Sequence, residues 1–432
     1  MAKNKKFLGY GIILSILGII FMFLYSGLQN DQINIIQAYS AWDNNMTMLP
    51  MTVGNFVCIV LTFIYGTMFI KFGVKKSLIP VIIISAVGCL GIAAANGLKC
   101  NGGEGNFALF FVSLFVVRCT CMMLQMAGFQ LVASWFIRLR GRIMGIVTVG
   151  SPLFSVIGTA GMTNLITHKF GGDYRPFYIG IAVILVVVAI LVALLVKDTP
   201  EQAGLYPDGA DHPPVSEEND EVKLTLKDIL TSAKGWKVII SFGALTFIIN
   251  ACMGSMVVRY MILGGGTLDV WMVAVKYLAI GAILGIPMSY VFGFLDDKIG
   301  TVKASIVLGI CELLPIIGLA LQPQGGSVPL MLVWGFGVAC MTGGVPTLHP
   351  CIMAFSYGRR EYQSANRIIM AIQLIPSAVA AQIMVGLLGK GQAMAAYGML
   401  LVVLIIGIIA LISMLKMKDA NAADRDYGKK AA

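Results

Sequence analysis

Apolar runs of about twenty residues recur along the whole chain, and no other feature restricts the fold as strongly. Ile179 to Val196 and Met399 to Leu415 contain no charged residue and no apolar/polar alternation. Membrane barrel strands alternate, so these runs exclude a barrel and call for helices, which satisfy their own backbone in lipid. With 58% apolar and 12% charged residues over 432 positions, the chain carries more apolar surface than a soluble core absorbs. It reads as an all-α polytopic membrane protein. The start, MAKNKK before an apolar run, reads as the first span and not as a leader, because the run outlasts a leader's apolar core and no small-residue cleavage site follows.

Periodicity and loop signals predict twelve transmembrane helices, at 7–37, 47–70, 78–98, 107–133, 143–166, 176–196, 237–262, 268–293, 304–321, 328–353, 367–388 and 394–415. Of the 31 lysines and arginines, 24 fall on the side of the N-terminus. The opposite loops keep Lys99, Lys169, Arg175 and Lys390, so the positive-inside rule predicts a multi-pass inner (plasma) membrane protein with both termini cytoplasmic. The net charge of +10 is thereby topological, and nucleic acid is not an expected partner. Residues 197–236 form a polar linker in which LTLKDIL suggests a short interfacial helix. The linker separates an N-terminal bundle (1–196) from a C-terminal bundle (237–416), with a tail at 417–432.

The two halves repeat. GTMFIKFGVKK, from Gly66 to Lys76, follows the second span, and GFLDDKIGTVK, from Gly293 to Lys303, follows the eighth. Gly66 and Gly293, like Gly73 and Gly300, are separated by 227 residues. Two glycines permit a tight helix-to-helix turn, and the intervening charges suit helix ends. The pattern G-x-x-x-D-[KR]-x-G-x-x-[KR] resembles the signature loop of the major facilitator superfamily. Asp297 and Lys298 fit it in the second copy, whereas Ile70 takes the acidic position in the first. WFIRLRGRIMG, DTPEQAGLYPDG and FSYGRREY further resemble the oxalate/formate antiporter-like branch, which moves small organic anions. The resemblance implies two pseudo-symmetric six-helix bundles rocking about a central site lined by spans one, four, seven and ten.

Ionisable groups inside the membrane are functional candidates because lipid penalises them. Arg118, halfway along span four, matches the superfamily's arginine on that helix and is a candidate substrate-binding cation. Lys276 lies about 12 Å into span eight, where the branch carries a basic residue facing a substrate carboxylate. The branch's lysine on span eleven is absent, and Gln373 stands as a neutral hydrogen-bonding substitute. Gln29, Asn30 and Asn34 make the far end of span one polar enough either to line a cavity mouth or to end the helix early. The repeat offset brings Asp31 to within one position of Arg259, suggesting a gate salt bridge. Glu312 in span nine and His349 in span ten are candidate proton-coupling groups, His349 having a structural alternative beside Pro346 and Pro350.

Eight of nine cysteines fall in or at the ends of spans and read as reduced, apolar residues, with Cys100 in an outer loop. No metal-ligand spacing, phosphate loop or nucleophile triad occurs, so neither an enzyme nor a cofactor is expected. The expected function is secondary active transport of small organic anions (carboxylates) by alternating access, as an exchanger or a proton symporter. The expected partners are the anion, protons or a counter-anion, and the bilayer, with the chain acting as a monomer. A carrier of bulkier amphipathic acids, favoured by 25 methionines, and a non-transporting ligand sensor are the alternatives.

Overall fold

The computed structural model describes residues 2–31, 42, 44–98, 105–158, 161–162, 165–211, 213, 224–264 and 268–422. The side chains of a few of these, Asn30, Asp31 and Lys276 among them, lie outside the description, as does Asn34 entirely. Spans one to four are the helices Ala2–Ser26, Asn44–Phe72, Val74–Ala95 and Phe107–Trp135. Span five starts as Arg140–Thr148, is interrupted at Val149, and continues through Gly150–Leu153 into a π-helical turn at Phe154–Gly158. Span six is Arg175–Leu195.

Spans seven and eight are Ala233–Leu263 and Leu268–Ile299. Span nine is Thr301–Cys311 followed, across Glu312, by Leu313–Ala320. A single helical run covers Val328–Gly389, and at 62 residues it would measure about 93 Å, three hydrocarbon thicknesses. It is broken at Gly358, whose φ of 68° and ψ of −179° leave helical space, giving spans ten (328–357) and eleven (359–389). Ala393–Ser413 is span twelve. Eleven runs among the described residues are long and apolar enough to cross a membrane, and the broken run supplies two crossings. Outward faces are apolar too: Val183, Leu194 and Ile409 are each more than half exposed, as lipid contact requires.

By contacts the chain divides into two units, Met1–Trp135 with Leu153–Asp211, and Phe136–Pro152 with His212–Ala432. The opening of span five therefore packs within the second unit. Gly141 and Gly293 have no room for a side chain against each other's backbone, a Cβ at Gly145 would strike the Ser289 carbonyl, and the hydroxyls of Thr148 and Thr347 lie 2.7 Å apart. The linker forms a short helix, Leu226–Thr231, started by a capping box: Thr225 and Asp228 each bond the other's backbone N–H. Leu226, Leu230 and Trp236 are exposed there.

The repeat seen in the sequence is present in the backbone. Gly73 precedes span three with φ 81° and ψ 167°, and Gly300 precedes span nine with φ 89° and ψ 152°. Both lie in the positive-φ region that side-chain-bearing residues avoid, which fixes glycine at this point of each loop.

Candidate functional site

In the first unit the polar residues gather around Arg118. The helix Phe107–Trp135 holds it mid-span with only 6% of its surface exposed, and span two makes room for its stem through Gly54, where a Cβ would lie 2.7 Å from the arginine Cγ. Its Nε–H donates to Asn55 Oδ1 at 2.7 Å, and one terminal nitrogen lies 3.6 Å from Cys121 Sγ. The thiols of Cys58 and Cys121 donate to the Arg118 carbonyl. Span one adds Tyr25, close enough to interact with both Arg118 and Gln29, and the buried Oε1 of Gln29 has no hydrogen-bond partner. No carboxylate pairs with Arg118 among the described residues. A buried guanidinium surrounded by neutral dipoles is incompletely compensated, and an anion is the species that completes it.

A second polar group lies between spans seven, ten and eleven of the other unit. His349 Nε2 is 2.6 Å from Gln373 Oε1, while Gln373 Nε2 donates to the carbonyls of Val238 at 3.0 Å and Ile239 at 3.3 Å. The amide nitrogen is fixed by those two acceptors, so its oxygen faces the imidazole, and His349 carries its hydrogen on Nε2. Phe242 meets the ring edge-on at 5.5 Å. Gln373 thus spends its amide on protein groups and orients His349. The helix runs unbroken through Pro346 and Pro350.

The remaining sequence candidates are placed apart. Arg259 donates to the Leu319 carbonyl at 3.3 Å and lies over the Tyr397 ring at 5.9 Å. The side chains of its expected gate partner Asp31, of Asn30 and of Lys276 lie outside the description, as does Asn34 entirely. Glu312 is fully buried with both carboxyl oxygens unpartnered.

In the second loop copy Asp297 accepts the backbone N–H of Gly141 at 3.1 Å and of Arg142 at 3.2 Å and pairs with Arg142 Nε at 3.3 Å. Gly293 gives that helix start its close approach, and Lys298 lies 5.7 Å from the Phe294 ring. In the first copy, beginning at Gly66, the carboxylate comes from elsewhere. Asp198 accepts the Lys75 N–H at 2.8 Å and occupies the space a side chain at Gly73 would need. Sequence reading missed Asp198, Asn55 and the buried charged residues Arg140 and Asp296, which are 1% and 0% exposed. The one available signal was Asp198's place at the head of DTPEQAG.

The sequence profile described as Major Facilitator Superfamily matches residues 6–381, well over half of the chain. The chain belongs to the major facilitator superfamily. It is accordingly a transporter and not an enzyme. No curated protein matches it in sequence. Among solved structures it is similar to the superfamily transporter FucP in the outward conformation, with a TM-score of 0.66 and 16% identity over 94% of this chain and 100% of that one. The E. coli fucose:proton symporter FucP gives 0.69 and 14% over 95% and 99%. The proton:xylose symporter XylE gives 0.68 and 12% over 98% and 99%.

Proposed function

We propose that this superfamily member carries small organic anions, with a substrate carboxylate meeting Arg118, in exchange for another anion or together with protons. The observation that carries this reading is the buried Arg118 guanidinium, held by Asn55 and Cys121 without a carboxylate partner among the described residues. A sugar carrier gains little from an uncompensated buried cation, whereas a carboxylate turns its desolvation cost into binding. Lys276 supplies a second cation to the substrate, and Asp31 with Arg259 a gate pair. The loop charges support placing both termini in the cytoplasm of a cell bounded by this membrane. The loop sequences named above support the oxalate/formate antiporter-like branch.

Uptake of a radiolabelled panel of mono- and dicarboxylates into proteoliposomes, with and without internal anion, tests the proposal, with fucose and xylose as neutral controls. A carboxylate is expected to enter, and Arg118→Gln to slow its entry by about 10- to 100-fold, the weight of one or two charge-assisted hydrogen bonds. Entry of the sugars alone, or carboxylate uptake untouched by Arg118→Gln, would overturn it. Acceleration by internal anion marks an exchanger, and acceleration by an inward proton gradient a symporter.

A further inference from the structure

Glu312 lies inside span nine, between its two helical segments. Thr301–Cys311 ends just before it and Leu313–Ala320 begins just after. Pro315 has no N–H to give the Cys311 carbonyl, so the helical ladder is already open at this level of the membrane. The carboxyl is 0% exposed, and neither oxygen has a hydrogen-bond partner. No cation pairs with it among the described residues.

An ionised carboxylate in such a place costs several kcal/mol, so the group is held here as the neutral acid. Even the neutral acid leaves an O–H unsatisfied, which leucine or methionine at this position would not. Packing therefore gives no reason for a glutamate here. The ligand that a single dry carboxyl takes is a proton. A metal cation needs several further oxygen ligands, and no cluster of metal-binding side chains occurs among the described residues.

A polar path leads away from it. Cys252 on span seven lies near enough to Glu312 for its thiol to feel a charge there. Ser255 and Arg259 follow Cys252 at three and seven residues, on the same helix face and about 10 Å along the axis. Ser255 is fully buried with an unpartnered hydroxyl, and the hydroxyl of Tyr397 on span twelve, whose ring lies under Arg259, is also unpartnered. On the remaining sides are Cys311 of its own span and, from span ten, Cys340 against Cys311. Arg259 is the cation nearest along this path.

We propose that Glu312 is the proton-carrying group of the transport cycle, loading and releasing its proton through the path Cys252, Ser255, Arg259 and Tyr397. Release breaks the carboxyl O–H, passes the proton to water admitted along the path, and leaves a hydrated carboxylate. The inference rests on the reading of the chain as a secondary transporter, but not on the identity of its substrate.

Carbodiimide labelling of the full chain in proteoliposomes tests it without any substrate, because dicyclohexylcarbodiimide adds to a protonated carboxyl in an apolar setting. Mass spectrometry should find the adduct on Glu312 near neutral pH and should find labelling falling about tenfold per pH unit once the group titrates. Glu312→Gln, close to the neutral acid in shape, should still fold and should abolish vesicle acidification, read by a trapped pH-sensitive dye, during uptake of any panel carboxylate. Absence of the adduct, an adduct indifferent to pH, or acidification retained in Glu312→Gln would each overturn the proposal. Protection from labelling by sodium, and not by alkali, would assign the site to sodium instead. Failure of the anion reading alone would leave the pH-dependent adduct intact.

Discussion

The two copies of the glycine loop share a backbone and differ in where their carboxylate comes from. Gly73 and Gly300 start their helices with nearly the same positive φ. In the second copy the loop's own Asp297 reaches out to cap the helix that begins at Arg140. In the first, Ile70 holds the acidic position, and Asp198, from beyond span six, caps the helix the loop itself begins. A duplicated turn thus keeps its dihedral angles, which only glycine permits, while its charge is supplied from another segment. What each end of the repeat needs is an acceptor for orphan N–H groups at a helix start, and the chain meets that need by two routes.

The sharpest way to break this comparison is to place the same methyl group at both turns. Gly300→Ala adds a Cβ in open space and should cost only its backbone strain, about 1–2 kcal/mol. Gly73→Ala pays that strain and also displaces Asp198 from the Lys75 N–H, about 2–4 kcal/mol together. Denaturant unfolding in detergent should rank the two variants in that order. Equal losses would mean that Asp198 contributes nothing as a cap.

The next largest effect belongs to Asp297. Its carboxylate is nearly buried, and Asp297→Ala strands two N–H groups and the Arg142 guanidinium, at about 2–3 kcal/mol. Asp297→Asn keeps an acceptor and should lose roughly half of that. Hydrogen exchange gives the local reading. The amides of Gly141 and Arg142 should speed up in Asp297→Ala while that of Lys75 is unchanged, and Asp198→Ala should do the reverse. Acceleration at both helix starts in either variant would show that the two caps are not independent.

Much of this fold was legible in the sequence, because uninterrupted apolar runs leave helices as the remaining choice and the offset of 227 residues needs only two glycine pairs to be seen. The azimuth of each helix was not. Spans that are apolar on every side carry no stripe to say which polar residue faces which neighbour. That is why the hydrogen bond between Gln373 and His349 was not foreseen, and why the pairing of Asp198 with Lys75 across 123 residues left no local trace. Arg118 was legible because one arginine in an apolar helix stands out by itself. Its Asn55 partner was hidden on the next helix back. Grouping the opening of span five with the second unit likewise depends on the small residues Gly141 and Gly145, whose close approach no hydropathy pattern records.

The smallest effect is read by pH at the Asp198 cap. Partial burial raises the Asp198 carboxyl above its ordinary range, and the Lys75 N–H and nearby lysine charges work against that rise. A raised acid is neutral in folded and unfolded chains alike below its unfolded pKa. As pH climbs through the window between the unfolded and the folded values, the unfolded chain gives up the proton first, so stability falls and then levels off. Asp198→Asn keeps an acceptor for Lys75 and has no proton to lose, so its stability relative to the parent should grow from acid toward neutral pH and then flatten. Since the group is only partly buried, the gain should stay below about 1 kcal/mol. Unfolding midpoints of both proteins across that range measure it. A relative loss in the asparagine variant would mean that the Lys75 N–H outweighs burial and that Asp198 is held as the charged form.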